Sequence, residues 1–223
     1  MQFFLSTGGP IANDIASIEI FYRSVLLAKP ASYDSDVLDA PWREVPPPKQ
    51  KLRFGLVGED PSFPLHPPVK RAVASAAKLL QDAGHEIVPI PASRARLAEA
   101  ISIAWSFFLL DSTAVSHIEA SGEPIIPSIQ VIKDALGVFM SDPKRHNCHD
   151  TDVLEGVPKV AALNVKRREF AEDWRKILTE ERLDAVIGPP NQGTAGKHDL
   201  YGLPPYTVFL NVLNVSILDT HLA

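Results

Sequence analysis

Three short groups of residues carry side chains that could take part in catalysis or metal binding. Ser75 and Lys78 form a Ser-x-x-Lys pattern, in which a lysine one helical turn from a serine could accept the proton of its hydroxyl. The Ser-Asp-Asn and Lys-Thr-Gly motifs that accompany this pattern in penicillin-binding enzymes do not occur in the sequence. We therefore interpret the pair as a chance occurrence in an alanine-rich helix.

The second group lies between residues 146 and 152 and contains His146, Cys148, His149, Asp150 and Asp152. Adjacent residues rarely converge on one ion, and no further His/Cys group at zinc spacing accompanies them. A thiol nucleophile needs a base that is held beside it by a third group, which adjacency in the sequence does not provide. We interpret the segment as a solvated loop and predict no metal site.

The third group, His85 and Glu86, follows the glycine turn at Gly84 and is explained by packing and turn chemistry. The sequence Gly55-Leu56-Val57-Gly58 is not the dinucleotide-binding fingerprint, and neither a Walker A motif nor a Gly-x-Ser-x-Gly elbow occurs. The residues alone therefore indicate no active site.

The composition favours a globular protein and gives no indication of a nucleic-acid partner or a membrane span. The 223 residues carry 22 Lys and Arg against 27 Asp and Glu, a net charge of -5, and 45% are apolar, which is typical of a soluble globular protein. This balance favours no nucleic-acid partner. The most apolar run, residues 101–110, is too short for a membrane span and is predicted to be a buried helix. The amino terminus does not resemble a signal peptide, and a cytoplasmic location is expected.

The elements that must position any site follow a strand–helix–strand order. Residues 52–57 and 85–90 are short apolar runs typical of covered strands. Between them, Pro67 and Pro68 suit the first turn of a helix that Gly84 is placed to end. Two strands joined in this way run parallel. The sequence therefore predicts an α/β fold with a βαβ unit near residues 52–90.

Further helices and strands follow from the same periodicities. Asn13 or Asp14 can cap the first helix, which Pro30 stops. Residues 28–50 are rich in proline and are predicted to be a surface connection. The remaining predictions are helices over 13–27, 94–120, 127–140 and 157–181, a third strand over 183–188, and irregular chain over 141–156 and 191–205.

Three segments in the same order resemble the amidase signature family, and within it the fungal acetamidase-like or general amidase group. Residues 5–15, around Gly9-Pro10, look like the family's Gly-Pro turn and following helix. Residues 29–88 are the most specific stretch, and residues 183–190 with 206–211 resemble the approach to the family's late Asn-x-Leu-Asp-Tyr-Pro segment. This resemblance implies part of a mixed sheet flanked by helices.

The family hydrolyses carboxamides with two serines and a lysine, through an acyl-serine intermediate and without a cofactor or metal. The resemblance places all three residues, and the glycine-rich oxyanion segment, before the turn matched by Gly9-Pro10, so none has a counterpart here. We therefore expect no catalytic residue, and an inactive chain, although the parent activity would be amide hydrolysis. Residues 211–216 also depart from the family pattern.

The resulting hypothesis is one partial amidase domain over residues 1–223, truncated at both ends and unstable alone because strand edges would be uncovered. Tyr206, Thr207 and Asn211 are predicted to contact a small-molecule amide, although Tyr206 could equally pack inside the fold. The alternative is a non-catalytic α/β binding or regulatory module.

Overall fold

The computed structural model describes residues 9–44, 51–111, 113–142 and 144–213. Contacts divide the described residues into two units, residues 9–44 and residues 51–213. Each unit is described on its own below. The single partial domain stays a prediction.

The smaller unit contains helix α1, Ile15–Leu27, followed by a 3-10 turn at Pro30–Ser32. Asp14 caps α1, since its Oδ1 accepts a hydrogen bond of 2.7 Å from the Ser17 N–H. The predicted first helix is therefore confirmed, with Asp14 as its cap. Residues 45–50 of the predicted proline-rich connection, with the three consecutive prolines, lie outside the described residues.

The larger unit is built on a three-stranded parallel sheet. Its strands are β1 (Arg53–Val57), β2 (Glu86–Ile90) and β3 (Ala185–Ile187), in the order β2-β1-β3. Helix α2, Pro67–Asp82, joins β1 to β2, which confirms the predicted βαβ unit. The described strands are all parallel, so the antiparallel part of the expected mixed sheet is not found among them.

The sequence explains both ends of the βαβ crossover. Pro67 and Pro68 occupy the first turn of α2, where a missing N–H costs no hydrogen bond. Gly84 follows the helix with a φ of +90°, a left-handed conformation that glycine adopts without strain. The chain then enters β2, with Glu86 beside Arg53 in the parallel register.

The remaining helices follow β2 and β3 along the chain. They are α3 (Ala92–Ala95), α4 (Leu97–Phe108), α5 (Thr113–Ser121), α6 (Pro127–Met140), α7 (His149–Asp152), α8 (Gly156–Glu180) and α9 (Pro205–Leu213). Helices α6 and α8 confirm two predictions. Helix α9 was not predicted from the sequence.

The continuous helix predicted over residues 94–120 is wrong. The structure divides it into α3, α4 and α5. Arg96 has a left-handed φ of +52° between α3 and α4, a conformation that ends a right-handed helix. Farther on, Asp111 accepts a hydrogen bond of 2.8 Å from the Thr113 N–H and so starts α5 as a separate helix.

Helix α4 lies in the core, which confirms the buried helix predicted over residues 101–110 as far as Phe107; Phe108 and Leu109 are exposed. It packs on α8 and α9, and its buried apolar side chains are Leu97, Ala100, Ile101, Ile103, Ala104 and Phe107. The indole N–H of Trp174 on α8 donates a hydrogen bond of 3.2 Å to the Ala95 carbonyl. Across the described part of the chain, no helix is long and apolar enough to cross a membrane.

Candidate functional site

Two loops meet at the carboxyl edge of the sheet, and we call residues 58–66 and 188–204 the edge loops. The His66 N–H donates a hydrogen bond of 2.8 Å to the Gln192 carbonyl. The Gln192 side-chain amide in turn donates to the Pro64 carbonyl at 3.3 Å. Ligands of open α/β sheets bind beyond the carboxyl ends of the strands. This edge is therefore the first candidate site.

An acidic pair lies in the first edge loop. The Glu59 carboxylate contacts Lys70 Nζ at 2.8 Å and accepts a hydrogen bond of 2.8 Å from the Leu65 N–H. Both interactions, that of Lys70 first, lower the pKa of Glu59. Asp60 is 6% exposed and accepts a hydrogen bond of 2.8 Å from the Ser62 N–H. The carboxylate oxygens of both residues therefore accept hydrogen bonds from backbone N–H groups of the same loop.

Tyr206, on α9, reaches this loop from inside the protein. Its hydroxyl donates a hydrogen bond of 2.8 Å to the Phe63 carbonyl and accepts one of 3.1 Å from the Asp60 N–H. The side chain is 1% exposed, and this burial raises its pKa. Its contacts are those expected of a residue that packs and holds the edge loop.

The other two predicted substrate-binding residues lie on a different face of α9. Thr207 is half-buried and donates a hydrogen bond of 3.4 Å to the Pro204 carbonyl, and Asn211 is exposed. Residues four apart share a helix face, so Thr207 and Asn211 lie together, whereas Tyr206 points inward. Substrate binding by the three residues stays a prediction.

The Ser-x-x-Lys pair lies on α2 at the surface. Ser75 is exposed, and the Lys78 ammonium contacts the Asp82 carboxylate at 2.8 Å. This arrangement is that of a solvated helix face, in agreement with the interpretation made from the sequence.

The segment around residue 146 is a second polar cluster, and the prediction that it is a solvated loop is wrong. His146 is 2% exposed, Cys148 is fully buried, and Thr151 is 1% exposed. His146 Nδ1 lies 2.6 Å from Ser102 Oγ of α4, and its Nε2 lies 2.8 Å from Asp152 Oδ2. Polar side chains can be buried in this way because they satisfy one another's hydrogen bonds.

The hydrogen bonds determine the direction of this relay. In the neutral tautomer that donates Nε2–H of His146 to the Asp152 carboxylate, Nδ1 is left to accept from the Ser102 hydroxyl. The Asn147 N–H donates a further hydrogen bond of 3.1 Å to Ser102 Oγ. The three residue types are those of a Ser-His-Asp triad, but the ring nitrogens are exchanged, since in that triad the serine bonds to Nε2 and the aspartate to Nδ1.

Access argues against acyl transfer at this relay. Ser102 is fully buried, and Asn147, which covers its oxygen, is the neighbour of the potential base His146. A substrate that displaced Asn147 would therefore move the base as well. We conclude that the relay joins two elements of the fold and is not a nucleophilic site.

Ionisation in the same region follows burial. Desolvation raises the pKa of the Cys148 thiol, which disfavours the reactive thiolate. It also raises the pKa of the Glu99 carboxyl on α4, against the opposing effect of Arg96. Within the ranges that the structure describes, no group of three or more His, Cys, Asp or Glu side chains could hold a metal ion.

One feature of the sequence, the helical spacing of polar residues in α4, indicates part of the relay. Glu99, Ser102 and Ser106 recur at spacings of three and four in an otherwise apolar helix, and therefore form a polar stripe on α4. Such a stripe in a buried helix requires polar partners. For Ser102 those partners are His146 and the Asn147 N–H, in the segment interpreted from the sequence as solvated.

Comparison with known proteins agrees with this architecture. The family model described as Amidase matches residues 1–218. An amidase of Gibberella moniliformis is 30% identical over 93% of this chain and 37% of its own length. An acetamidase of Aspergillus oryzae is 31% identical over 94% of this chain and 38% of its own length. This chain thus spans little more than a third of the relatives it matches.

A solved structure supports the same fold. A fatty acid amide hydrolase superposes with a TM-score of 0.75 and 21% sequence identity, over 92% of this chain and 34% of that protein. The family match over residues 1–218 includes Gly9-Pro10, the three strands and α9. From the sequence match and the shared fold, we conclude that this chain belongs to the amidase family.

Proposed function

We propose that this chain is part of a truncated amidase whose complete form converts a small-molecule carboxamide and water into a carboxylate and ammonia, through an acyl-serine intermediate. The carrying observation is the family match over residues 1–218, combined with coverage of only 37% of a matched amidase. The names of the relatives support amides as the substrate class.

We further propose that the 223 residues do not hydrolyse amides by themselves. The serines that first suggest catalysis are unsuited to it, since Ser75 is exposed beside a lysine engaged by Asp82, and Ser102 is fully buried. Nucleophilic catalysis needs an accessible hydroxyl and a positioned base.

The contribution of this chain to the parent site would come from the carboxyl edge of the sheet. Tyr206 holds the first edge loop through Asp60 and Phe63. Thr207 and Asn211, on the other face of α9, are the proposed substrate contacts. Burial distinguishes these roles. The exposed Asn211 side chain can contact a ligand, whereas the hydroxyl of the buried Tyr206 is already hydrogen-bonded to the edge loop.

Ammonia release from acetamide and from a phenyl-substituted amide tests inactivity. The purified chain should give no ammonia above a buffer blank, while the Aspergillus oryzae acetamidase assayed alongside establishes that the measurement works. Ammonia production that remains after repeated purification, and that disappears on heat denaturation, would overturn this part of the proposal.

A chimera tests the parent activity. The matched region of the Aspergillus oryzae acetamidase is replaced by this chain, and amide hydrolysis by the product is expected. Asn211→Ala in the chimera should raise KM, whereas Gln81→Ala, an exposed amide on α2, should leave KM unchanged. A soluble chimera in which Asn211→Ala changes neither KM nor kcat would remove Asn211 from the site.

A further inference from the structure

A short segment covers the polar stripe of α4, and we call residues 145–152 the strap. Beneath it lie the half-buried Glu99 and the buried hydroxyls of Ser102 and Ser106. The strap connects α6 to α8 and contains α7. It therefore crosses a buried helix that is polar only on the covered side.

Hydrogen bonds from the strap to α4 meet at one atom. Ser102 Oγ bonds to His146 Nδ1 at 2.6 Å and to the Asn147 N–H at 3.1 Å. Through His146, the same atom is linked to Asp152, whose side chain is 46% exposed. The relay thus runs from a buried helix to the surface and passes through the strap.

A second set of polar contacts joins the strap to α8. Lys166 Nζ donates to the Asn147 carbonyl at 3.3 Å and lies 3.1 Å from Asp150 Oδ1. Lys159 lies 3.8 Å from Asp152 Oδ1. These charged contacts are partly exposed, and such pairs contribute little to stability in water.

Apolar burial by the strap is small by comparison. Cys148 is its buried apolar side chain, while Val153, directly after the strap, is 83% exposed. Segments with few buried apolar contacts open locally at lower free energy than the core. Because α4 packs on α8 and α9 through its other faces, it can stay folded when the strap leaves.

We propose that the strap is a conformational device that opens over α4 as a unit, and that the Ser102–His146–Asp152 relay is its lock. In the closed state, the relay holds the strap over the polar stripe of α4. Opening exposes Ser102, Ser106 and Cys148 to solvent without unfolding of the sheet or of α8.

Cys148 is a natural reporter of this opening because it is the only cysteine in the sequence and is fully buried. The full chain is treated with Ellman's reagent at one pH and at increasing urea concentrations below the unfolding transition. Each rate is divided by the rate for the same variant unfolded in urea, which corrects for thiol reactivity. We expect labelling faster than global unfolding permits, with little dependence on urea.

Removal of the lock should accelerate labelling selectively. Ser102→Ala leaves His146 Nδ1 and the Asn147 N–H without their shared partner, and labelling should rise about tenfold or more, as expected for loss of a buried acceptor. Ser75→Ala, the same change on the exposed face of α2, should not alter the rate. Asp152→Asn, at the half-exposed end of the relay, should accelerate labelling by a smaller factor.

The outcomes separate the possibilities. If labelling of the unmodified chain follows the urea dependence of global unfolding, the strap does not open independently and the proposal fails. If Ser102→Ala does not fold, Asp152→Asn carries the test, and an unchanged rate in that variant overturns the lock. None of these measurements depends on amide hydrolysis, so the result is independent of the proposed function.

Discussion

The hydroxyl of Tyr206 donates a hydrogen bond of 2.8 Å to the carbonyl oxygen of Phe63, and so joins α9 to the loop that follows β1. The same hydroxyl accepts from the Asp60 N–H. One buried side chain therefore satisfies two backbone groups, one donor and one acceptor, in a loop that has no regular secondary structure. The position of the edge loop depends on a helix almost 150 residues later in the chain.

Tyr206→Phe should destabilise the chain by about 1–3 kcal/mol, because two buried backbone groups lose their partner while the ring remains. Urea denaturation at neutral pH measures this loss, and the dependence on urea should be unchanged. Tyr33→Phe is the matched control, since that tyrosine is 87% exposed. Equal stability of the two variants would show that the hydroxyl of Tyr206 is not a structural link.

The same tyrosine predicts an alkaline pH dependence. Burial raises its pKa above the ordinary tyrosine value of about 10, so the folded state holds the phenolic proton more tightly than the unfolded state does. Stability contributed by this proton is therefore complete below pH 10 and is lost as pH rises through the folded pKa. The unfolding free energy of the original chain should fall relative to Tyr206→Phe above pH 10, as urea denaturation at several pH values will measure.

Glu99 predicts the pH dependence at the acidic end. Burial raises its pKa above 4.5, so the folded state binds this proton more tightly than the unfolded state. The protonated carboxyl stabilises the fold fully below pH 4.5, and the benefit is lost as pH rises through the raised pKa. Relative to Glu99→Gln, the original chain should become less stable in urea denaturation as pH rises above 4.5.

Glu172 is the control for that measurement because its pKa is shifted in the opposite direction to that of Glu99. Its side chain is exposed, and its hydrogen bond to Arg175 lowers its pKa. Its stabilising effect is present above the unfolded pKa and is lost as pH falls through the folded pKa. Glu99→Gln and Glu172→Gln should therefore change the pH profile in opposite directions. Parallel changes would show that net charge, and not local burial, governs both.

Proline and glycine positions in the sequence correctly predicted where the crossover helix of the βαβ unit begins and ends. Pro67 and Pro68 at the start of a helix, and the glycine turn at Gly84, correctly located the crossover between β1 and β2. In α9, Pro205 occupies the start, and Tyr206, Phe209 and Val212 are buried at intervals of three. The same type of signal was therefore present there, and assigning the preceding residues to a loop concealed it.

Features that depend on distant contacts were not predictable. Ser102 and His146 are 44 residues apart, and although the polar stripe on α4 indicates that it needs polar partners, nothing in the sequence identifies residues 146–152 as those partners. The left-handed Arg96 is another case, since its side chain contacts Glu99 at 3.2 Å and Asp173 of α8 at 2.8 Å. Tertiary contacts of this kind can hold a conformation that local preference disfavours.

Substitution of Asp14 tests which residue caps α1, since the sequence allowed either Asn13 or Asp14. Asp14→Ala removes the acceptor of the Ser17 N–H and should increase the amide exchange rate of Ser17 by NMR. Asn13→Ala, at the neighbouring exposed position, should leave that rate unchanged. Because the hydrogen bonds of Ser17 lower the pKa of Asp14, the cap should also weaken as pH falls through the folded pKa. Faster exchange in Asn13→Ala alone would assign the cap to Asn13.

Gly55 is required in β1 by packing, and its replacement should destabilise the sheet. A Cβ at this position would lie 2.7 Å from the terminal methyl groups of Ile90 and Leu183, and Ile90 is 1% exposed and has little room to move. Gly55→Ala should therefore cost about 1–3 kcal/mol in urea denaturation, as overpacking typically does. Gly137→Ala on α6 is the matched control, because no atom lies within 4 Å of its Cβ position. That variant should gain about 0.5–1 kcal/mol, since alanine favours a helix. If both substitutions stabilise the chain, the sheet has room at Gly55 and the close packing of β1 between β2 and β3 is refuted.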